Sequence, residues 1–414
     1  MSTFPVEQLR RQFPALHRVV EGRTPVYFDG AAGTQVPQRV IDTVAHYLST
    51  CNANHGGVFF TSRVSDTVLH WAHLAVADLL NAPSPDEVVF GPNMTTLTLH
   101  LSRSIARTWR PGDEVLVTRL DHDANVRSWV LAARDAGATV RFVDLRPDDC
   151  TLDLDDLRRQ LSGRTKLLAV AAASNAVGTI NDVPALTRLA HDAGAKVFVD
   201  AVHYAPHGLI DVQAWDCDFL ACSAYKFFGP HVGVLWGKRR WLEELEPYKL
   251  RPAADTLPDR WMTGTQNHEG LAGVTAAVSY LADVGVAMGA AGADRRAVLR
   301  HGMEAVRTHE QELARRLLAG LAERRRFKVW GITDPSRLSQ RVPTISITAA
   351  DRSPLEIAEH LASGEIYVWN GNMYALELSE RLGLEPNGGF VRISLVHYNT
   401  AEEIDRLLQV LDKL

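Results

Sequence analysis

One pattern constrains this chain more than any other: between residues 85 and 237, short apolar runs of strand length alternate with longer stretches of helical period. Segments 87–90, 114–117, 139–143, 167–173, 196–200, 219–223 and 233–236 read as strands. Segments 95–109, 128–136, 154–161 and 183–193 read as helices. Several strands are apolar at every position, as burial on both faces requires. The pattern predicts an α/β fold: a mostly parallel seven-stranded sheet with helices on both faces. Such sheets bind ligands outside the carboxyl ends of their strands, so the residues just past each strand carry the chemistry.

The pattern changes after Glu269. A helix rich in small residues runs to about 285, a Gly/Ala stretch at 285–292 reads as a hinge, and a long amphipathic helix covers 294–325. Strands at 344–347 and 390–395 with two further helices predict a smaller C-terminal α/β domain. The expected division is 1–24 as an N-terminal helix packing on the small domain, 25–285 as the large domain and 286–414 as the small one. A length of 414 residues suits that division.

Charge and targeting signals exclude several classes. The net charge is −5, and the densest basic cluster, Arg324 to Arg326, falls at a helix end, so nucleic acid is not an expected partner. The N-terminus lacks the apolar core of a signal peptide. No uninterrupted apolar stretch approaches membrane-spanning length, so no membrane association is expected. Cys51, Cys150, Cys217 and Cys222 form no CxxC pair, which reads as reduced thiols in a cytoplasmic protein with no bound metal.

Asp200 ends one predicted strand. Lys226 follows 26 residues later, between the apolar run 219–223 and the pair Phe227, Phe228. Burial there would lower the amine's pKa and favour imine chemistry. A carboxylate for a pyridinium nitrogen followed by a Schiff-base lysine is the minimal pair for pyridoxal 5′-phosphate (PLP). The phosphate would need donors. The Thr95 hydroxyl, the backbone N–H of Met94 and Thr95 at a helix N-terminus, and Ser223 can supply them. Thr95 reads equally as a plain helix cap. His122, in DHDAN after the strand 114–117, can stack on a flat ring or simply fill a loop.

With these residues in view, the chain resembles the cysteine desulfurases of the class V (fold-type I) PLP-dependent aminotransferases, from about residue 25 to 414. The resemblance is carried by YFDGAAGTQVP at 27–37, NANHG at 52–56, SNAVGT at 174–179, the block from Val199 to Gly233, RWMTGT at 260–265 and Arg392 in FVRISL. It implies a PLP-transferase fold type I and a role for each matching residue. Lys226 is the Schiff-base residue and general base, Asp200 the partner of the ring nitrogen, and His122 the stacking ring. Thr95, Met94, Ser223 and Tyr225 bind phosphate, with Thr265 contributed by the second subunit of a homodimer. Asn175 and His203 lie near the ring hydroxyl. Arg392 grips the substrate carboxylate in a bidentate contact, with Ala31, His55 and Asn175 beside the substrate.

Departures from the family pattern bear on the reaction. Tyr374 stands where the family's attacking cysteine lies, and no cysteine follows Cys222. A phenol of pKa about 10 is a poor substitute for a thiolate. His203 replaces a glutamine, Tyr225 a histidine and Met94 a hydroxyl residue. The expectation is therefore an amino-acid-directed PLP enzyme performing α,β-elimination of the C–S lyase type on cysteine or an S-substituted cysteine, with Tyr374 acting on the leaving group, gating the site or filling a wall. Transamination and epimerisation are the alternatives within PLP chemistry. A silent PLP-binding protein is the alternative outside it.

Overall fold

The computed structural model describes residues 4–292 and 294–414. The large sheet contains β1 (Val88–Gly91), β2 (Glu114–Thr118), β3 (Thr139–Val143), β4 (Thr165–Ala171), β5 (Lys196–Asp200), β6 (Phe219–Ser223) and β7 (Gly233–Gly237). Their spatial order is β1-β7-β6-β5-β4-β2-β3. All neighbours are parallel except β7, which is antiparallel to both β1 and β6. Every residue of β2, β6 and β7 is buried, which explains their apolar runs at 115–117, 219–222 and 234–236. Only the edge strand β3, with Thr139 and Arg141 turned outward, alternates. The predicted strand at 167–173 lies two residues earlier, and Ala172 and Ala173 carry the chain out of the sheet toward Asn175.

The small sheet contains β8 (Phe327–Trp330), β9 (Thr344–Ala349), β10 (Trp369–Gly371) and β11 (Phe390–Ser394) in the order β8-β9-β11-β10, all antiparallel. Two long helices join the domains: α1 (His268–Ala287) and α2 (Arg295–Ala322). Leu299, Met303 and Val306 of α2 belong to the large core, whereas Leu313, Leu317 and Leu321 belong to the small one. The boundary therefore runs inside α2, not at residue 285. Gly285, the first residue of the 285–292 stretch, lies inside α1. A Cβ there would sit 2.2 Å from the Val298 carbonyl, so its bareness lets α1 and α2 touch. By length and composition α1 is long and apolar enough to cross a membrane. Two-thirds of its apolar window is buried inside the protein, and Leu271, Val274, Val278 and Leu281 form part of the large core.

The N-terminal segment differs from expectation too. Its helix is short, Val6–Arg10. Leu9 and Phe13 enter the large core, where the Phe13 ring meets Tyr280 edge-on at 5.3 Å, and Arg10 reaches Glu403 at 2.9 Å. The segment thus seals the junction and does not rest on the small domain alone. Val26 and Phe28 join the small core, because Val26 pairs in parallel with Ile366.

Candidate active site

The carboxyl ends of β4, β5 and β6 open on a cavity of about 80 Å3 lined by Met94, Thr95, His122, Asn175, Asp200, His203, Ser223, Tyr225 and Lys226. The turn after β6 delivers Lys226 into it. Phe227 and Phe228 on the next turn are fully buried, and Phe228 adopts φ 68°, a strained value for a bulky residue. Packing against Phe13, Tyr280 and His397 holds it there. The N-terminal strap completes the cradle. The Thr34 N–H and hydroxyl both donate to the Tyr225 carbonyl, and the same hydroxyl accepts from the Phe228 N–H at 2.9 Å. Lys226 Nζ donates to the carbonyl of Ala31.

Burial pulls the Lys226 amine down to about 7, helped by the positive charge of Arg392 and opposed by Asp200 and Asp29. Burial pushes Asp200 up to about 6, against the Val202 N–H at 2.8 Å and the charge of Lys226. His122 is pulled down to about 4, first by burial and then by Lys226 and Arg392, so its ring is neutral at physiological pH. Its loop is fixed by the buried Asp121, which accepts from Thr118 Oγ1 at 2.6 Å, Asn125 Nδ2 at 2.6 Å and the Ala171 N–H at 3.1 Å.

The donor set at the cavity floor differs in detail from expectation. Asn93 caps the helix Met94–Ala106 by accepting from the Thr96 N–H, so Thr95 is not the cap. Among the described residues the Thr95 N–H and hydroxyl make no hydrogen bond. The Met94 N–H is already taken by Ser223 Oγ at 3.0 Å, so it is not the free phosphate donor expected of it.

Three residues on the cavity or its mouth each carry a buried polar atom with no protein partner: Asn175 Oδ1, His203 Nδ1 and Arg392 Nε. Unpaired buried polar groups cost roughly 1–3 kcal/mol each, so their convergence fits a polar ligand that they would satisfy. With the neutral His122 ring and the Asp200 carboxylate on the same lining, a buried amine of low pKa and free donors at a helix N-terminus, they fit PLP.

A wider mouth of about 360 Å3 continues outward, lined by Ala31, Ala32, Asn175, Trp369, Asn370, Tyr374 and Arg392, among others. Arg392 lies on β11, nearly inaccessible, with one nitrogen on the Asn175 carbonyl at 2.9 Å. Burial lowers its pKa to about 10, and among the described residues no carboxylate is within ion-pairing distance. A buried guanidinium without a counter-ion is a receptor for an anion. Asp29, the nearest acid felt by Arg392, is itself raised to about 6 by burial and has an unpartnered oxygen.

Tyr374 stacks on His122 at 5.4 Å with an interplanar angle of 15° and is otherwise exposed. Met373 and Tyr374 both hold φ 57°, strain that three contacts offset. Asn175 Nδ2 donates to the Met373 carbonyl at 2.8 Å. The Asp123 N–H donates to the Tyr374 carbonyl at 2.6 Å, and the Tyr374 N–H to Asn372 Oδ1 at 3.0 Å.

Other expected residues lie elsewhere. His55 is not on the cavity of its own chain. It is about half exposed, 3.7 Å from Asp66. Thr265 is exposed and also outside the cavity. Trp261 is core, with its indole N–H on the Leu242 carbonyl. The four cysteines are buried and unpaired, and none lines either cavity. Burial pushes the Cys150 thiol up to about 11, and Cys217 and Cys222 higher still.

Sequence reasoning missed a buried network behind the cavity. His203 Nε2 meets Thr344 Oγ1 at 2.9 Å, the His203 and His207 rings lie 5.1 Å apart, and His207 Nδ1 pairs with Glu310 at 2.8 Å. Its members are too far apart in sequence to signal one another. Asp29 was within reach, inside the 27–37 segment, but only the fold shows it facing Arg392 and Lys226.

Comparison with known proteins places the chain among PLP enzymes. The family profile described as aminotransferase class-V matches residues 26–407. A cysteine desulfurase of Serratia proteamaculans is 30% identical over 427 residues, covering 100% of this chain and 98% of that protein. An aminotransferase-like protein of Gibberella zeae is 31% identical, covering 99% and 98%. Among solved structures, an apo cysteine desulfurase from Thermococcus onnurineus superposes with a TM-score of 0.87 at 26% identity, covering 100% of this chain and 98% of that one.

Proposed function

The chain belongs to the class V aminotransferase family of PLP-dependent enzymes, and from that premise we propose that it catalyses α,β-elimination on a cysteine-derived substrate, releasing a thiol. The observation that carries this reading is the absence of a usable thiol. No cysteine lines the site, and Tyr374 lies on the same mouth as Arg392. Persulfide formation needs a nucleophile at the substrate sulfur, whereas elimination needs only a base and a leaving group.

Lys226 would hold the cofactor covalently through Nζ, with Asp200 keeping the ring nitrogen protonated and His122 lying against the ring. Thr95, Ser223 and Tyr225 would take the phosphate, and His203 and Asn175 the ring hydroxyl. When bound, PLP supplies an electron sink that acidifies the α-carbon of an amino acid. Arg392 offers paired N–H groups to the substrate carboxylate and so aims the α-hydrogen. Lys226, with a pKa near 7, is half neutral at neutral pH and suited to take that proton at Nζ. Tyr374, stacked on His122, walls the outer side and limits water entry.

We also propose a homodimer in which Thr265 and His55 reach the second subunit's site. The exposed apolar run Val58, Phe59 and Phe60 beside His55 supports a buried contact there.

Product analysis tests the reaction. Pyruvate, ammonium and a thiol from S-substituted cysteines are expected. Alanine with a persulfide from cysteine would overturn the assignment, and a keto acid retaining the sulfur would assign transamination instead.

A further inference from the structure

The mouth of the site is built for more than cysteine. Trp369 and Arg392 are directly opposed partners on β10 and β11, so their side chains stand on the same face of the sheet, side by side. The indole beside the carboxylate receptor is 51% exposed. Tyr374, on the same cavity, is 72% exposed and uses only one face of its ring, against His122. Neither aromatic surface is consumed by the fold.

The volume agrees. The mouth measures about 360 Å3, within the range of clefts that hold organic ligands many atoms larger than a lone thiol. Its charge is informative as well. Among the described residues of this chain, Lys226 and Arg392 are the only charged side chains on its lining, and both are committed to the amino-acid core of the substrate. Among the same residues no carboxylate and no third cation is there to meet a charged side chain. Asn370, whose side-chain amide makes no hydrogen bond among the described residues, offers one donor group and one acceptor.

We propose that the substrate is an S-conjugate of cysteine whose sulfur carries an uncharged planar ring, seated against Trp369 and the free face of Tyr374. The chemistry rests on the elimination reading. The α-proton leaves to Lys226, the Cβ–S bond breaks with its electron pair on sulfur, and the aryl thiol departs. The 2-aminoacrylate left behind takes up water to give pyruvate and ammonium, with no net oxidation. The recognition of the ring does not depend on that chemistry.

The test therefore separates binding from turnover. Homophenylalanine and norvaline are the carbon isosteres of S-phenylcysteine and S-methylcysteine and have no leaving group. Their dissociation constants for the PLP-loaded enzyme are measured by calorimetry and by the change in cofactor absorption. Homophenylalanine should bind at least about tenfold tighter. Trp369→Ala should reduce that ratio about threefold or more, and Trp369→Phe should largely preserve it. Equal affinities, or a ratio untouched by Trp369→Ala, would overturn the inference. Turnover of the two sulfur compounds is assayed separately for thiol and pyruvate. If the ring preference holds and no thiol appears, the elimination reading fails and the recognition stands. If thiol forms and the ring preference is absent, the reverse is true.

Discussion

Replacing Lys226 by methionine should make the cofactor-free protein more stable at neutral pH. The unfolded chain holds the lysine proton up to about 10.5, and the fold pulls that value down to about 7. At about 1.4 kcal/mol per tenfold change in proton affinity, the buried ammonium costs about 5 kcal/mol. Between these two pH values the unfolded state binds more protons than the folded one, so wild-type stability rises with pH across that window. Below pH 7 the full cost is present, and above 10.5 both states carry a neutral amine and it has gone. Methionine fills a similar space without the charge. Losing the hydrogen bond to the Ala31 carbonyl returns about 1 kcal/mol. The expected gain is therefore about 4 kcal/mol at pH 6 and about 1 kcal/mol near pH 9, turning into a small loss of under about 1 kcal/mol near 10.5, where only the missing hydrogen bond is left. Urea unfolding of the stripped protein, followed by tryptophan fluorescence at the three pH values, measures it. A variant less stable than wild type at pH 6, or a gain that does not fade with pH, would refute the reasoning.

Two further outcomes follow from the same geometry. Arg392→Lys keeps the charge and loses the planar fork, so KM for an amino-acid substrate should rise about 10- to 100-fold with a smaller change in kcat, read by steady-state kinetics. Gly233→Ala would place a Cβ 2.4 Å from the Asn93 carbonyl carbon, displacing the loop that leads to Thr95. It should cost about 1–3 kcal/mol of stability and loosen the cofactor, measured by thermal unfolding and by PLP loss on dialysis.

Local chemistry determined much of this protein from sequence. The inner strands announce themselves because burial on both faces requires apolar runs, the edge strand at 139–143 by its alternation, and Asp200 and Lys226 draw notice because an open parallel sheet binds ligands just past its strands. That residue 374 is a tyrosine and that no cysteine follows Cys222 is likewise a matter of residue identity. Tertiary structure decided what depends on contacts across long separations. Ser223 Oγ accepts from the Met94 N–H 129 positions away, Glu310 pairs with His207 over 103, and α2 serves two cores at once. The pairing of Trp369 with Arg392 belongs to the same class. Strand register is a property of two segments docking, and neither carries it alone.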